Sequence, residues 1–162
     1  MTLHRPSNVD NPVELRGLVD ILQEARRLTL VFPVHPRTHK RLVEFGLWER
    51  ITQIPRIRII DPIGYLDFMS LLFTSSAAIT DSGGLQEETT YLGIPCITLR
   101  ENTERPVTVT HGTNRLMQPA DVPTAIDRII KGEWAVGAKP EFWDGKTAGR
   151  VVKSLKEYFQ RA

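Results

Sequence analysis

Residues 77–93 read AAITDSGGLQEETTYLG: a short apolar run, a polar turn, and a stretch of helical period closed by glycine. A strand that passes into a helix through Asp81, Ser82, Gly83 and Gly84 is one half of a β-α-β unit. The same alternation continues on both sides. Apolar runs rich in β-branched residues lie upstream at 28–33 (LTLVFP) and 56–60 (RIRII), and downstream at 95–99 (PCITL) and 114–117 (NRLM). Stretches of helical period fall at 38–45, 65–74, 84–92, 122–131 and 147–160, with Gly46, Gly93 and Gly132 placed to end three of them. A first long helix is expected after Asn11, with Pro12 in its first turn and Val13, Leu15, Leu18, Val19, Leu22 and Ala25 as its buried stripe. Short, fully apolar strands separated by helices predict a single α/β domain, a parallel sheet covered by helices on both faces.

Bulk properties narrow the function. A chain of 162 residues buries one core and not two, so a cleft needing a second lobe must borrow it. The formal charge of +2 supplies no field of the kind nucleic-acid binders carry. Cys96, the only cysteine, sits in an apolar run; it excludes an internal disulfide and reads as a buried structural thiol in a reducing cytoplasm. No run has the length of a membrane span or the pattern of a signal peptide, and no His, Asp or Cys set has zinc spacing. Neither membrane, nucleic acid nor metal is expected as a partner. Only Met1, Thr2 and Leu3 precede the polar His4-Arg5 pair, a strand stub that suggests a start inside a larger protein. Trp48, Trp134 and Trp143 are read as caps on the core, and residues 132–145 as a surface excursion.

The chemistry concentrates where strands end. At Ser82-Gly83-Gly84 a helix opens, offering unpaired N–H groups and a partial positive charge, and paired glycines let an anion approach the backbone. Ser82 adds a hydroxyl. Glu88, four residues after Gly84, lies on the same helical face and suits two ribose hydroxyls. The competing reading is a capped tight turn with solvated glutamates; position at the carboxyl end of a parallel strand favours a ligand. His4 and Arg5 follow the first strand stub, and Arg105, in RENTERP with Arg100 and Glu104, follows the strand at 95–99. Three polar loops on one sheet edge predict a site for the diphosphate and ribose of a nucleotide. His35 points to the same edge.

These residues resemble a known family, the non-hydrolysing UDP-N-acetylglucosamine 2-epimerases, and match its carboxyl-terminal half nearly end to end. TLHRPSN is similar to the family's opening, PIGYLDF to its uracil-side loop, and DSGGLQEE followed by TERP to its signature; GTNRLM and DGKTAGRVV also fit. The chain departs from the pattern at Ser7 and Val107, where the family commonly carries acidic residues. The resemblance implies a Rossmann-like domain, one half of a glycosyltransferase-B type fold, with the amino-terminal Rossmann-like domain absent. It further implies a UDP-N-acetylhexosamine ligand, no NAD or metal cofactor, and a homodimer as the assembly expected of the intact enzyme. Under it, His4 acts in catalysis; Arg5, Ser82, Gly83, Gly84 and Arg105 contact the diphosphate; Glu88 holds the ribose; and Ile63 and Phe68 face the uracil. A hydrolysing epimerase, a glycosyltransferase or a non-catalytic nucleotide-binding module would use the same residues.

Overall fold

The computed structural model describes residues 1–24, 28–135 and 137–160. Five strands and the helices between them follow the expected alternation: α1 (Pro6–Val9), α2 (Pro12–Glu24), β1 (Leu30–Pro33), α3 (Pro36–Glu44), α4 (Trp48–Thr52), β2 (Ile57–Ile60), α5 (Tyr65–Phe73), β3 (Ala78–Thr80), α6 (Gly83–Leu92), β4 (Cys96–Thr98), α7 (Pro106–Thr110), β5 (Asn114–Leu116), α8 (Val122–Ile130) and α9 (Thr147–Gln160). Among the described residues every strand pairing is parallel, β1 with β2 and β3 with β4 with β5.

The stub at the amino terminus joins the two sets. Thr2 bridges Thr80 in parallel, its N–H donating to the Ile79 carbonyl at 2.9 Å, while the Met1 amine donates to the Val31 carbonyl at 2.7 Å. Across the sheet the order becomes β2, β1, residues 1–3, β3, β4, β5. Strand order therefore reverses between the stub and β3, the place where open parallel sheets leave a crevice at their carboxyl ends.

Side chains of successive strand residues leave on opposite faces, and here they feed two separate cores. Ile79 and Ile97, partners in register, join a large cluster with Leu15, Leu42 and Ile51, whereas Ala78 and Cys96, also partners, join a smaller one with Leu72 and Leu85. Both faces of the sheet are thus covered. Cys96 is fully buried, and burial pushes its thiol up, as suits a structural residue.

The α2 stripe holds at Leu15, Leu18, Val19 and Leu22, all buried, while Val13 is 73% exposed. Two residues before Leu15 on a helix is the opposite side, so Val13 falls outside the i, i+3, i+4, i+7 set. Ala25 lies outside the described residues. Gly93 and Gly132 both take φ of 72° and Gly46 takes 67°, the left-handed turn that ends a helix without meeting a Cβ. Trp134 is buried with its indole N–H on the Thr113 carbonyl at 2.9 Å, and Trp48 packs on the core, so the tryptophan reading holds for these two. Three short helices, α1, α4 and α7, occupy stretches for which the sequence pattern predicts no helix. Each has five residues or fewer, too short to display a period.

Candidate functional site

The crevice is organised by Asp81, whose side chain is 0% exposed. Its carboxylate accepts from the amides of His4 (3.0 Å) and Arg5 (2.8 Å) and from Nδ2 of Asn8 (3.1 Å), and Nδ1 of His4 stands 3.0 Å from Oδ1. Arg5 returns the contact, donating from Nε to the Asp81 carbonyl at 3.1 Å, and Asn8 also reaches the Leu99 carbonyl at 3.0 Å. A buried carboxylate held by this many donors ties three strand ends into one edge. With Nδ1 committed to Asp81, Nε2 is the ring atom of His4 left for a ligand. In the sequence, Asp81 reads only as a turn or capping residue. The available signal was a carboxylate placed directly after a wholly apolar strand, where burial demands a partner.

Helix α6 begins as expected. Ser82 is its N-cap in extended conformation, and its side chain makes no capping hydrogen bond, so the hydroxyl is not spent on the helix. A Cβ at Gly84 would meet open space, and one at Gly83 would meet only Oε2 of Glu104, at 3.9 Å. The first-turn amides of this ten-residue helix therefore face an approachable opening.

Beside it lies a cavity of about 250 Å³ lined by Thr2, His4, Phe68, Ser82, Gly84, Leu85 and Glu88. His4, Phe68, Ser82, Gly84 and Glu88, predicted from three separate stretches of sequence, are thereby brought together. Partial burial pushes the Glu88 carboxyl up, opposed by a hydrogen bond from Tyr65 at the start of α5. Arg5 is not among its lining and stands 3.8 Å from Glu104. Arg105 and Ile63 are not among its lining; the Arg105 guanidinium pairs with Glu87 on α6 at 2.9 Å. Glu104 is gripped by Arg100 through both oxygens at 2.7 Å, which holds its carboxyl down at about 2. His35 lies 5.5 Å from the His4 ring but uses Nδ1 to cap α3. A larger groove of about 360 Å³ opens between β1 and β3, and its lining carries no charged side chain.

Two parallel sheets joined through the amino-terminal stub, with a crevice where the strand order reverses, define a doubly wound α/β domain. The sequence profile described as UDP-N-acetylglucosamine 2-epimerase matches residues 1–156. This chain belongs to that family. It is 41% identical over 162 residues to the UDP-N-acetylglucosamine 2-epimerase of Methanocaldococcus jannaschii, covering 96% of this chain and 43% of the relative. It is also 41% identical over 157 residues to the UDP-2,3-diacetamido-2,3-dideoxy-D-glucuronate 2-epimerase of Pseudomonas aeruginosa, covering 95% and 43%. Among solved structures, it superposes on the M. jannaschii enzyme in complex with UDP-GlcNAc and UDP with a TM-score of 0.84 at 39% identity, over 96% of this chain and 44% of that one. The chain thus spans under half the length of these relatives.

Proposed function

We propose that this chain is the UDP-binding, carboxyl-terminal domain of a UDP-N-acetylglucosamine 2-epimerase. The observation that carries the reading is the convergence of His4, Ser82, Gly84 and Glu88 on one cavity at the open entrance of α6. In this reading the diphosphate lies against the first-turn amides and the Ser82 hydroxyl, and Arg105 exchanges its pairing with Glu87 for a phosphate oxygen. Glu88 accepts from the two ribose hydroxyls, and Phe68 with the backbone near Ile63 flanks the uracil.

The reaction proposed for the longer protein interconverts UDP-N-acetylglucosamine and UDP-N-acetylmannosamine. A base removes the C2 proton, the C1–O bond breaks, and UDP departs to leave 2-acetamidoglucal. UDP then adds back at C1 as a proton is delivered to the opposite face of C2. The diphosphate gains charge as it leaves, so fixed donors around it lower the barrier; that is the part assigned to this chain, with His4 at the departing phosphate. The carboxylates that move the C2 proton belong to the amino-terminal Rossmann-like domain, and the isolated chain is expected to bind UDP without epimerising. The P. aeruginosa relative, equally similar and named for a different UDP-sugar, supports a second reading in which the same domain serves another 2-acetamido sugar. We place the intact enzyme in the cytoplasm, as a homodimer supplying cell-envelope polysaccharide synthesis.

Calorimetry with UDP on this chain, on Ser82→Ala and on Glu88→Ala, tests the site. Each variant should weaken binding by about tenfold, the value of one charge-assisted hydrogen bond; unchanged affinity in both removes the assignment. Arg105→Ala should weaken UDP and leave uridine nearly unaffected, and equal losses for both ligands would contradict a phosphate contact.

A further inference from the structure

Behind the α6 entrance lies a hydrogen-bonded chain that the proposed mechanism does not use. Gln86, 0% exposed, donates from Nε2 to the Ser82 carbonyl at 3.2 Å. Its Oε1 accepts from the Thr103 hydroxyl at 2.6 Å and from Nδ2 of Asn114 at 3.1 Å. The Arg105 carbonyl can only accept, so Thr108 donates to it and receives from Nδ2 of Asn114, which fixes the Gln86 atom facing that Nδ2 as the oxygen. The Thr103 hydroxyl proton is therefore committed to Gln86, and its lone pair accepts the Arg105 N–H at 2.9 Å.

Asn114, also buried, continues the chain in the same sense. Its Oδ1 accepts from Thr98 on β4 at 2.6 Å, and Nδ2 donates to Thr108 Oγ1 at 3.1 Å, whose own proton goes to the Arg105 carbonyl at 2.7 Å. Both peptide groups flanking Arg105 are held by hydroxyls, one tied to Gln86 and the other to Asn114. Gln86 in turn holds the carbonyl at the head of α6.

We infer that Gln86 and Thr103 are positioning residues that fix the loop carrying Arg105 relative to the α6 entrance, so that the two sides of the diphosphate site are set at one spacing before ligand arrives. The inference rests on the diphosphate site proposed above. A loop ordered in advance spares the ligand the entropy of ordering it, and that saving falls on the part of the ligand the loop touches. Nucleoside recognition, through Glu88 and Phe68 of the cavity lining, does not pass through Thr103.

The test uses the whole chain and two ligands, UDP and uridine. Thr103→Val keeps the shape and removes the relay; Thr103→Ser keeps the hydroxyl. Thr103→Val should weaken UDP roughly fivefold to tenfold, the effect of one internal hydrogen bond, with uridine affinity within about twofold of the parent. Thr103→Ser should bind both as the parent does. If Thr103→Val binds UDP normally while Ser82→Ala does not, the positioning role is overturned and the site stands. Equal loss of UDP and uridine, or failure of Thr103→Ser to restore UDP binding, also overturns it. If Ser82→Ala and Thr103→Val both leave UDP unaffected, the site and the relay fall together.

Discussion

Asp81 shows how far a single buried charge can organise a loop region. Its Oδ2 accepts from the His4 and Arg5 amides and from Nδ2 of Asn8, while Oδ1 stands 3.2 Å from the His4 N–H and 3.0 Å from its Nδ1. Asp81→Asn removes the charge that strengthens all of these contacts, and an NH₂ at the Oδ2 position would face three donors. We expect this substitution to cost about 3 kcal/mol of folding stability, read from urea unfolding followed by circular dichroism. A loss below about 1 kcal/mol would mean that the carboxylate is not the tie described. This residue was hidden from sequence reading because its partners lie more than seventy positions away. Ser82, Gly84 and Glu88 were legible because their relation is local, set by a strand end and one turn of helix.

At the scale of elements, what was legible followed length. The strands and α2, α3, α5, α6, α8 and α9 each carry enough residues for a period or a bounded apolar run to be seen. The brief helices α1, α4 and α7 do not, and α1 owes its place to contacts made elsewhere. Asp10, its C-cap, is held by Arg37 and Arg41 of α3. Those hydrogen bonds lower the Asp10 carboxyl from 3.8 to about 2. A carboxyl whose folded value lies below its unfolded one stabilises the fold above the unfolded value, and that contribution is lost as the pH falls through the folded one. Asp10→Asn should therefore lower the melting temperature at neutral pH, with the difference from the parent shrinking between pH 4 and about 2. A difference that persists undiminished at pH 2 would show that the ion pairs do not carry it.

Across the whole molecule, strand order decided where function would fall, and that order was only half readable. The alternation of elements announced a parallel sheet, but the reversal beside the stub depends on Thr2 meeting Thr80, a pairing no local pattern encodes. Helix α9 stands apart from both cores. None of its described residues is buried, and Val151, Val152, Leu155, Tyr158 and Phe159 are half or more exposed. Leu155→Lys should leave the melting temperature within about 2 °C of the parent, as surface substitutions do; a drop of 5 °C or more would show that α9 packs on the domain in solution. The pinning of Thr2 to Thr80 has a mechanical consequence. His4 and Ser82 hang from strand ends that share hydrogen bonds, so their spacing is set by the sheet and not by the loops that carry them. In the reading proposed above, clamping on capture comes from a body that descends over the crevice, while this chain serves as the anvil.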